Sequence, residues 1–381
     1  MHASTSRAIA LALGLGLTVP ALAQHGRPPL FYEVVSISVK EFTIFPGSDS
    51  AEGRDINNLG EVVGWGKTST GQTHAFKRAL LGSTIDLGAG HPWNDTIAEG
   101  INDNSEVVGY RAAFGGHMRA FYWSPDDGFQ DLSIVNPPGV EHWRDYYASA
   151  INNHGRIVGW TSETGKSDSV AVTWWHRSAD PSLFYTAPAG IANWAYDISD
   201  SSWFTGAEYT PSTADYRVFR YRAGTLEYPA ATPWPYTHDQ NTYAVNEAGT
   251  VVGSATDWTS GAKRAIRWRR TGSPLILGVL PGGMKSEAFD INETDFIVGH
   301  STMQVHPDST AAVERAFLFH VDFGMVELPP PPSNESALLT FCAANALNDL
   351  KDNGLLQATG YCTRNGKTQA VRWDVFVGEH P

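Results

Sequence analysis

Four segments of the sequence place tryptophan within a few residues of histidine, arginine, aspartate or amide side chains. They are HPWND (91–95), EHWRDYY (141–147), IANWAYD (191–197) and PWPYTHDQN (233–241). A flat indole ring covers the apolar C–H face of a pyranose, and nearby polar groups hydrogen-bond the sugar hydroxyls. The four segments therefore have the composition of a saccharide-binding surface.

The aromatic residues of these segments are the candidates for direct contact with a ligand. They are Trp93, Trp143, Trp194, Trp234 and Tyr236. Trp258 belongs to another loop that we expect at the same end of the fold. An alternative is that the indole rings only fill gaps between neighbouring repeats, and the sequence leaves both interpretations open.

The polar residues of the same segments are the catalytic candidates, namely His142, Arg144, Tyr146, His238 and Asp239. A polysaccharide lyase needs a cation that neutralises a uronate carboxylate and a base that removes the α-proton. Arg144 would supply the cation, and the base would be His142, Tyr146 or His238. A glycoside hydrolase needs two facing carboxyl groups instead. Its candidates are Asp95, Glu141, Asp145 and Asp239.

A turn motif recurs seven times and sets the positions of these segments. Its first copy is DINNLGEVVGWG, from Asp55, and the residues that lead the seven turns are Asn57, Asn102, Asn152, Ser199, Asn246, Asn292 and Asn348. Their spacing of 45 to 56 residues is typical of propeller blades and solenoid units. We expect the asparagine to cap its own turn. A calcium loop is rejected because Leu59 stands at a ligand position.

Each copy carries four strand signals. The first strand ends just before the asparagine, and the second is expected to end at Gly64 and its equivalents, after a short turn that needs a positive φ. The third contains HAFKR (74–78) or its equivalent, and the fourth is brief, as in TIDLG (84–88). The repeats begin at small residues that suit a strand crowded near an axis: Gly53, Ala98, Ala148, Ala195, Thr242, Ala288 and Ala344.

The last repeat leaves almost no chain for a fourth strand, whereas an additional strand signal, YEVVSISV (32–39), precedes the first repeat. A ring that takes its missing outer strand from the N-terminus closes without an exposed sheet edge. The sequence therefore predicts an all-β fold, a seven-bladed β-propeller of four-stranded antiparallel blades. We expect the strand at 32–39 to complete the blade that contains Trp373.

In such a propeller, the loops between blades all emerge at one end of the ring. The segments 141–147 and 233–241 are two repeats apart, and both are long. We expect them to share one aromatic-lined pocket near the axis, since loops of this kind are where binding residues concentrate. Trp143 and Trp234 would be its stacking surfaces. Its polar contacts would be His142, Arg144, His238 and Asp239.

The turn pattern INxxGxVVG followed by His-Ala-Phe at 74–76 resembles the HAF-type extracellular repeat family of bacteria. The resemblance covers nearly all of the chain after the leader segment, although only the first repeat has the literal His-Ala-Phe. The fourth repeat departs most, with Ser199 in place of asparagine. The resemblance implies export and a repeat architecture, and it implies no activity.

The N-terminus has the pattern of a secretory signal peptide. His2 and Arg7 precede the apolar run AIALALGLGLTVP, and ALA (21–23) offers small residues for cleavage. We therefore expect residues 1–23 to be removed, residues 24–381 to form a single propeller domain, and the protein to be secreted or periplasmic. Export also predicts a disulfide between the two cysteines, Cys342 and Cys362, which flank a turn.

Charge limits the partners. The formal net charge is −13, with 40 acidic and 27 basic residues, so nucleic acid is an unfavourable partner. After the leader, no stretch approaches the length of a membrane span. We expect a monomer without cofactor or metal whose partner is a glycan or another extracellular polymer. The function that the sequence favours is binding of such a ligand. The alternatives are a polysaccharide lyase or hydrolase that uses the same face, and a protein-interaction scaffold.

Overall fold

Each sequence repeat folds as one antiparallel sheet, and seven such sheets surround a common axis. The computed structural model describes residues 31–89, 95–133, 144–163, 169–175, 182, 191–233, 235–304, 312–332 and 341–380. The innermost strands of successive sheets contact one another in a closed circle, in which the last contacts the first. The protein is therefore a seven-bladed β-propeller, as the sequence predicts.

Within each blade the strands follow chain order from the axis outwards. The strands of the first three blades are β2 (Ala51–Ile56), β3 (Val62–Lys67), β4 (Thr73–Arg78) and β5 (Thr84–Asp86); β6 (Thr96–Ile101), β7 (Val107–Ala112), β8 (Met118–Ser124) and β9 (Gly128–Asp131); and β10 (Arg144–Ile151), β11 (Ile157–Glu163) and β12 (Val170–Trp174). In blade 3, Ser182 bridges to Thr173 on the outer side of β12. One 3₁₀ turn, Phe114–Gly116, precedes β8.

The remaining four blades repeat this order. Their strands are β13 (Ala192–Ile198), β14 (Phe204–Thr210), β15 (Asp215–Arg222) and β16 (Thr225–Glu227); β17 (Tyr236–Val245), β18 (Val251–Asp257), β19 (Lys263–Trp268) and β20 (Leu275–Ile276); β21 (Ser286–Ile291), β22 (Ile297–Gln304), β23 (Ala312–His320) and β24 (Gly324–Leu328); and β25 (Phe341–Leu347), β26 (Leu355–Arg364) and β27 (Lys367–His380). Within the described residues, no helix is long and apolar enough to cross a membrane.

The ring closes through the N-terminal strand. Strand β1 (Phe31–Phe42) pairs antiparallel with β27, and Val39 lies opposite Trp373. This pairing supplies the outer strand that the last repeat lacks, so the predicted closure is confirmed. Cys342 and Cys362 lie directly opposite each other on β25 and β26 and form a disulfide, which confirms the predicted bond.

Tryptophans of the third strands pack between blades. Trp174, Trp268 and Trp373 are almost completely buried. The indole Nε1 of Trp373 donates to the carbonyl oxygen of Pro329 at 2.8 Å, and that of Trp174 donates to Ser133 at 3.0 Å. Trp174 and Trp373 thus each contact chain that leaves the preceding blade, so they hold neighbouring blades together as well as filling the core.

The asparagines that lead the turns join each blade to the next. The Oδ1 atom of Asn57 accepts the backbone N–H groups of Leu59 and Glu61 within its own turn. Its Nδ2 donates to the carbonyl oxygen of Asn102 in blade 2, at 3.0 Å. Equivalent bonds between blades start at Asn102, Asn152, Asn246, Asn292 and Asn348. We call these six residues the asparagine ring; its last bond runs from Asn348 to Asn57 and closes the circle.

Blade 4 is the exception because Ser199 replaces the asparagine. The hydroxyl of Ser199 accepts the backbone N–H of Trp203, but among the described residues it makes no bond to blade 5. Ser201 provides that link, since its hydroxyl donates to the carbonyl oxygen of Glu247 at 3.1 Å. The repeat that departs most in sequence therefore uses a different residue for the same connection.

Every inner strand carries a β-bulge one residue after its small residue. In blade 1 the register shifts between Gly53 and Asp55, and the other six blades shift at the equivalent place. The bulge brings the carbonyl oxygen of Glu52 so close to Gly64 that an added Cβ would lie 2.0 Å from it. The recurring glycine is therefore required by a close backbone approach.

That glycine does not end the second strand. The sequence predicted an end at Gly64, but β3 continues to Lys67, so this boundary was wrong. Gly64 and its equivalents mark the position that contacts the bulge on the neighbouring strand, not the end of a strand. The residue with positive φ is the earlier one in the turn, Gly60 at 76°.

Replacing Asn152 by Ala should lower the free energy of unfolding by about 2–4 kcal/mol, because buried backbone groups in two blades lose their partners. These groups are the carbonyl oxygen of Ser199 and the N–H groups of His154 and Arg156. Urea denaturation checks this. Asn104→Ala is the control, since Asn104 lies on a turn at the same end and its bond to the next blade, to the Asn153 carbonyl oxygen, is exposed to solvent. Equal losses in both variants would contradict a structural role for the asparagine ring.

Candidate functional site

A cavity of about 370 Å³ lies on the propeller axis. The inner strands run from the end that bears the blade-to-blade loops towards the asparagine turns, and the cavity occupies the part of the channel above those turns. We call it the axial cavity. Its size is within the range of small-ligand sites, and every one of the seven blades contributes to its lining.

The β-bulges create the lining because they turn two consecutive residues of each inner strand towards the axis. The first of the two forms a wall with one side chain from each blade: Arg54, Glu99, Ser149, Tyr196, Tyr243, Phe289 and Asn345. The second forms a floor, which includes Asp55, Asp197 and Asp290. Tyr110, Tyr147 and Trp160 complete the lining. The wall is thus a set of unlike side chains held at equivalent backbone positions.

The three floor aspartates fasten neighbouring blades together. Asp55 accepts the N–H of Ile56 through Oδ1 at 2.7 Å and the N–H of Ile101 in blade 2 through Oδ2 at 2.8 Å. Asp197 accepts from Val245 in blade 5, and Asp290 accepts from Leu347 in blade 7. Each carboxyl group is thus already committed to two backbone donors.

Burial raises the pKa values of the three floor aspartates. It raises the pKa of Asp55 to about 7 and that of Asp197 to about 6, against the effect of the backbone hydrogen bonds. Burial also raises the pKa of Asp290 well above its usual value, and the negative charges of Asp197 and Asp55 add to this shift. Asp55 and Asp197 therefore titrate close to neutral pH, and Asp290 is shifted in the same direction.

The wall contains one cation between two carboxylates. The Arg54 guanidinium lies 3.2 Å from the Glu52 carboxylate. Burial alone would lower the pKa of Arg54, but Glu99 and Glu52 raise it overall. Burial raises the pKa of Glu99, which makes no hydrogen bond to the part of the chain that the structure describes. Glu99 thus faces the cavity with unused hydrogen-bonding capacity.

Aromatic rings cover much of the remaining surface. The rings of Tyr147 and Trp160 are stacked, with centroids 3.9 Å apart. Across the axis, Tyr243 lies 6.2 Å from Tyr196 and 5.2 Å from Phe289, between ring centroids. Burial raises the pKa of Tyr196 to about 12, so its hydroxyl stays neutral and can both donate and accept a hydrogen bond.

A polar cluster stands behind Tyr243. The Tyr243 hydroxyl donates to Glu287 at 3.4 Å, and Glu287 also accepts from Ser254 and Lys263. Burial lowers the pKa of the neighbouring His300, although Glu287 opposes this shift. The cluster fixes the orientation of the Tyr243 ring and leaves His300 neutral at physiological pH.

A second, smaller cavity of about 180 Å³ lies below the floor, inside the asparagine ring. Around it, the residue after each leading position connects to its neighbour; for example, the N–H of Asn58 donates to Asp103 at 2.8 Å. The acidic residues of this lining are Asp55, Asp103, Asp197, Asp200, Glu247, Glu293 and Asp349. Among the described residues, no three histidine, cysteine or acidic side chains are placed to hold one metal ion.

Five of the residues proposed from the sequence lie outside the described residues: Trp93, Glu141, His142, Trp143 and Trp234. The shared pocket between segments 141–147 and 233–241 therefore stays a prediction. Arg144 and Tyr146 are buried in β10, where the Arg144 Nε donates to the Thr161 hydroxyl and Tyr146 packs against Trp174. Neither side chain lines the axial cavity.

The other proposed residues lie at the loop end but away from the axial cavity. Trp194 is half-buried beside Tyr216. His238 is exposed beside Trp258, and the N–H of Asp239 donates to Asp215. Tyr236 begins β17, its backbone N–H bonded to Pro233. The structure thus places the Trp258 indole and the His238 imidazole, both of blade 5, together on the outer surface.

The wall residues were not predicted because they lie within strands, whereas the proposed site residues came from segments predicted to be loops. A signal was present in the repeats: the position three residues before each leading residue varies freely between Arg54, Glu99, Tyr196 and their equivalents. The position before it stays small, and the position after it is always aspartate, alanine or glycine. A variable position inside an otherwise regular inner strand is the pattern that marks the wall.

No family model matches the chain, and no curated protein matches it in sequence. Among solved structures it is similar to a puromycin hydrolase, with a TM-score of 0.53 and 12% identity over 85% of this chain and 51% of that one. The chain therefore spans about half the length of that hydrolase. A polysaccharide lyase, Uly1, gives a TM-score of 0.46 at 10% identity, covering 88% of this chain and 90% of that one.

The BP39L lectin from Burkholderia pseudomallei gives a TM-score of 0.43 at 11% identity, covering 86% of this chain and 96% of that one. The likeness to the puromycin hydrolase, at 12% identity, concerns the fold alone and shows nothing about activity. The function of this chain must therefore be argued from the cavity itself.

Thermal stability should fall as the pH rises from about 5 to about 8. The raised pKa values mean that the folded protein binds protons to Asp55, Asp197 and Asp290 more tightly than the unfolded chain does. For Asp55 and Asp197, this stabilisation is complete below the unfolded value of about 4 and is lost as the pH passes about 6 to 7. Differential scanning fluorimetry across this range checks the expectation.

In that experiment, Asp55→Asn should make the fall smaller because one floor group that titrates within the window is gone. The control is Asp257→Asn, which removes the same charge at the end of β18. Hydrogen bonds led by that of Thr259 lower the pKa of Asp257 to about 2, so its titration lies outside the window. A melting temperature that stays constant or rises with pH in the parent protein would contradict the assignment.

Proposed function

We propose that this propeller binds a saccharide in the axial cavity. The observation that carries the proposal is the wall, where each blade contributes one side chain and the seven together combine aromatic faces with hydrogen-bonding groups. Tyrosine and tryptophan faces stack on sugar rings, and the hydroxyl, amide and carboxylate groups of Ser149, Asn345 and Glu99 match sugar hydroxyls. A volume of about 370 Å³ admits a ligand of one or two sugar rings.

The stacked pair of Tyr147 and Trp160 gives the cavity its broadest aromatic surface. A ring held by stacking loses little conformational freedom when a ligand arrives, which favours binding. Tyr243 is held in a similar way by Glu287 and Phe289. Rigid aromatic walls with neutral hydroxyl groups suit binding of an uncharged polar ligand better than proton transfer.

A glycoside hydrolase is the second candidate. It is favoured by the raised pKa of Glu99, because a protonated carboxyl group is what a general acid requires. A hydrolase nucleophile must be a second carboxyl group that stays ionised. The pKa of Asp55, in the same lining, is raised as well, so Asp55 does not meet that requirement. A uronate lyase is less favoured, since the cation that lines the described cavity, Arg54, is already paired with Glu52.

The cellular context belongs to the same proposal. We propose that the chain is exported, on the grounds of its leader sequence and the Cys342–Cys362 disulfide. Membership of the HAF-type repeat family is likewise proposed from the turn motif and His-Ala-Phe at 74–76. An extracellular glycan is the partner that fits this setting.

The purified protein should retain at least one polysaccharide from a panel of neutral, basic and acidic examples in affinity electrophoresis. Tyr147→Ala should weaken that retention by about 1–3 kcal/mol, the range for losing an apolar ring face. The matched control is Tyr216→Ala, which removes an exposed tyrosine on blade 4 outside the cavity. Its retention should equal that of the parent.

Parallel assays of reducing ends and of ultraviolet absorbance separate binding from hydrolysis and from elimination. Retention without products supports a binding protein, and reducing ends that disappear in Glu99→Gln would support the hydrolase. If no polysaccharide is retained or altered, or if Tyr216→Ala weakens retention while Tyr147→Ala does not, the axial cavity is not a saccharide site.

A further inference from the structure

We infer that the axial cavity selects a saccharide that carries a protonated amine, that is, a sugar with a free amino group. The inference rests on the proposed function and names the ligand class for the same site. It follows from three features of the cavity: an excess of carboxyl groups, aromatic faces around them, and one carboxylate without a hydrogen-bond donor.

The charge of the lining is strongly unbalanced. One cation, Arg54, shares the described lining with four carboxyl groups, those of Asp55, Glu99, Asp197 and Asp290. Arg54 also faces Glu52 at 3.2 Å, so its charge is largely matched before any ligand enters. A cationic ligand favours the ionised form of these carboxyl groups and is attracted by it, whereas a uronate or sulfated sugar is disfavoured.

Aromatic rings stand next to these carboxyl groups. Tyr147 and Trp160 present one stacked pair, and Tyr196, Tyr243 and Phe289 line the cavity from three successive blades. The negative face of an aromatic ring attracts an ammonium group, most strongly for tryptophan. Burial raises the pKa of each of the tyrosines Tyr147, Tyr196 and Tyr243. They therefore stay uncharged and act through their faces.

Glu99 is the carboxylate most available to a ligand. The floor aspartates each accept two backbone N–H groups, as Asp55 does from Ile56 and Ile101. Glu99 accepts no hydrogen bond from any described residue, although it lies in the field of Arg54. An ammonium group has three donors and no acceptor. It would satisfy Glu99 without displacing the bonds that hold the blades together.

Three trisaccharides with the same β-1,4-linked glucose backbone test the inference. They are the fully deacetylated glucosamine trimer, the N-acetylglucosamine trimer and cellotriose, and trigalacturonate serves as the acidic comparison. Isothermal titration calorimetry at about 0.15 M salt, where surface charges are screened beyond about 8 Å, should show the glucosamine trimer binding at least about tenfold more tightly than cellotriose.

Glu99→Gln should reduce that preference to about threefold or less and leave the affinity for cellotriose within about twofold of the parent. Glu33→Gln is the matched control. It removes a carboxylate from an exposed pair with His380 on blade 7, and it should keep the full preference. Circular dichroism confirms that both variants are folded.

Equal affinity for the glucosamine trimer and cellotriose, or tighter binding of the acetylated or acidic trimer, overturns the amine selectivity and leaves the saccharide site intact. A preference lost equally in Glu33→Gln and Glu99→Gln also overturns it, because the attraction would then come from net charge. If none of the four trimers binds and no polysaccharide is retained, the proposed function itself fails.

Discussion

The side chain that leads each turn connects local folding to closure of the ring. In Asn57, Oδ1 accepts two N–H groups of its own turn while Nδ2 donates to the next blade. These two roles require a short side chain that carries one acceptor atom and a separate donor atom, as asparagine does. An ionised aspartate has no donor, and serine has a single oxygen for both roles. Blade 4 shows the consequence, because Ser199 caps its turn but Ser201 must make the link to blade 5.

The bulge beside the turn stands at the same place in all seven blades, including blade 4, which lacks the asparagine. Two residues of each inner strand then face the axis, and the glycine opposite gives the bulge carbonyl room. The wall side chains take little part in the blade cores, which form on the outer side of the inner strands. They are therefore free to differ, and Arg54, Glu99 and Tyr243 stand at equivalent places with different chemistry. The fold thus separates the residues that build the ring from those that define the ligand.

Most of the fold could be predicted from the sequence because its signals are local and repeated. The turn asparagines, the third-strand tryptophans and the unpaired strand at 32–39 together specify a closed ring, and the facing cysteines follow from one hairpin. The end of the second strand was misplaced at Gly64, since its reason lies on the neighbouring strand. A contact of that kind is not visible in the order of residues.

The axial cavity could not be found by the same reasoning. A regular strand alternates its side chains, so Arg54 and Asp55 read as facing opposite sides. The bulge reverses that expectation by turning both towards the axis. Tryptophans predicted to lie in loops, such as Trp194, were proposed as ligand contacts because of their residue type. The structure places the Trp194 ring beside Tyr216 instead. Tyr146, proposed from its type as well, packs in the core against Trp174.

The central claim is that the axis of this propeller holds a sugar between aromatic faces. A crystal structure of the protein soaked with the glucosamine trimer tests it most directly, because it locates the ligand without relying on any variant. The account predicts density for a sugar ring between the Tyr147–Trp160 pair and Tyr243, with its amino group within hydrogen-bond distance of Glu99. Density confined to the outer surface near Trp258 and His238, with an axial cavity that holds only water, would contradict it.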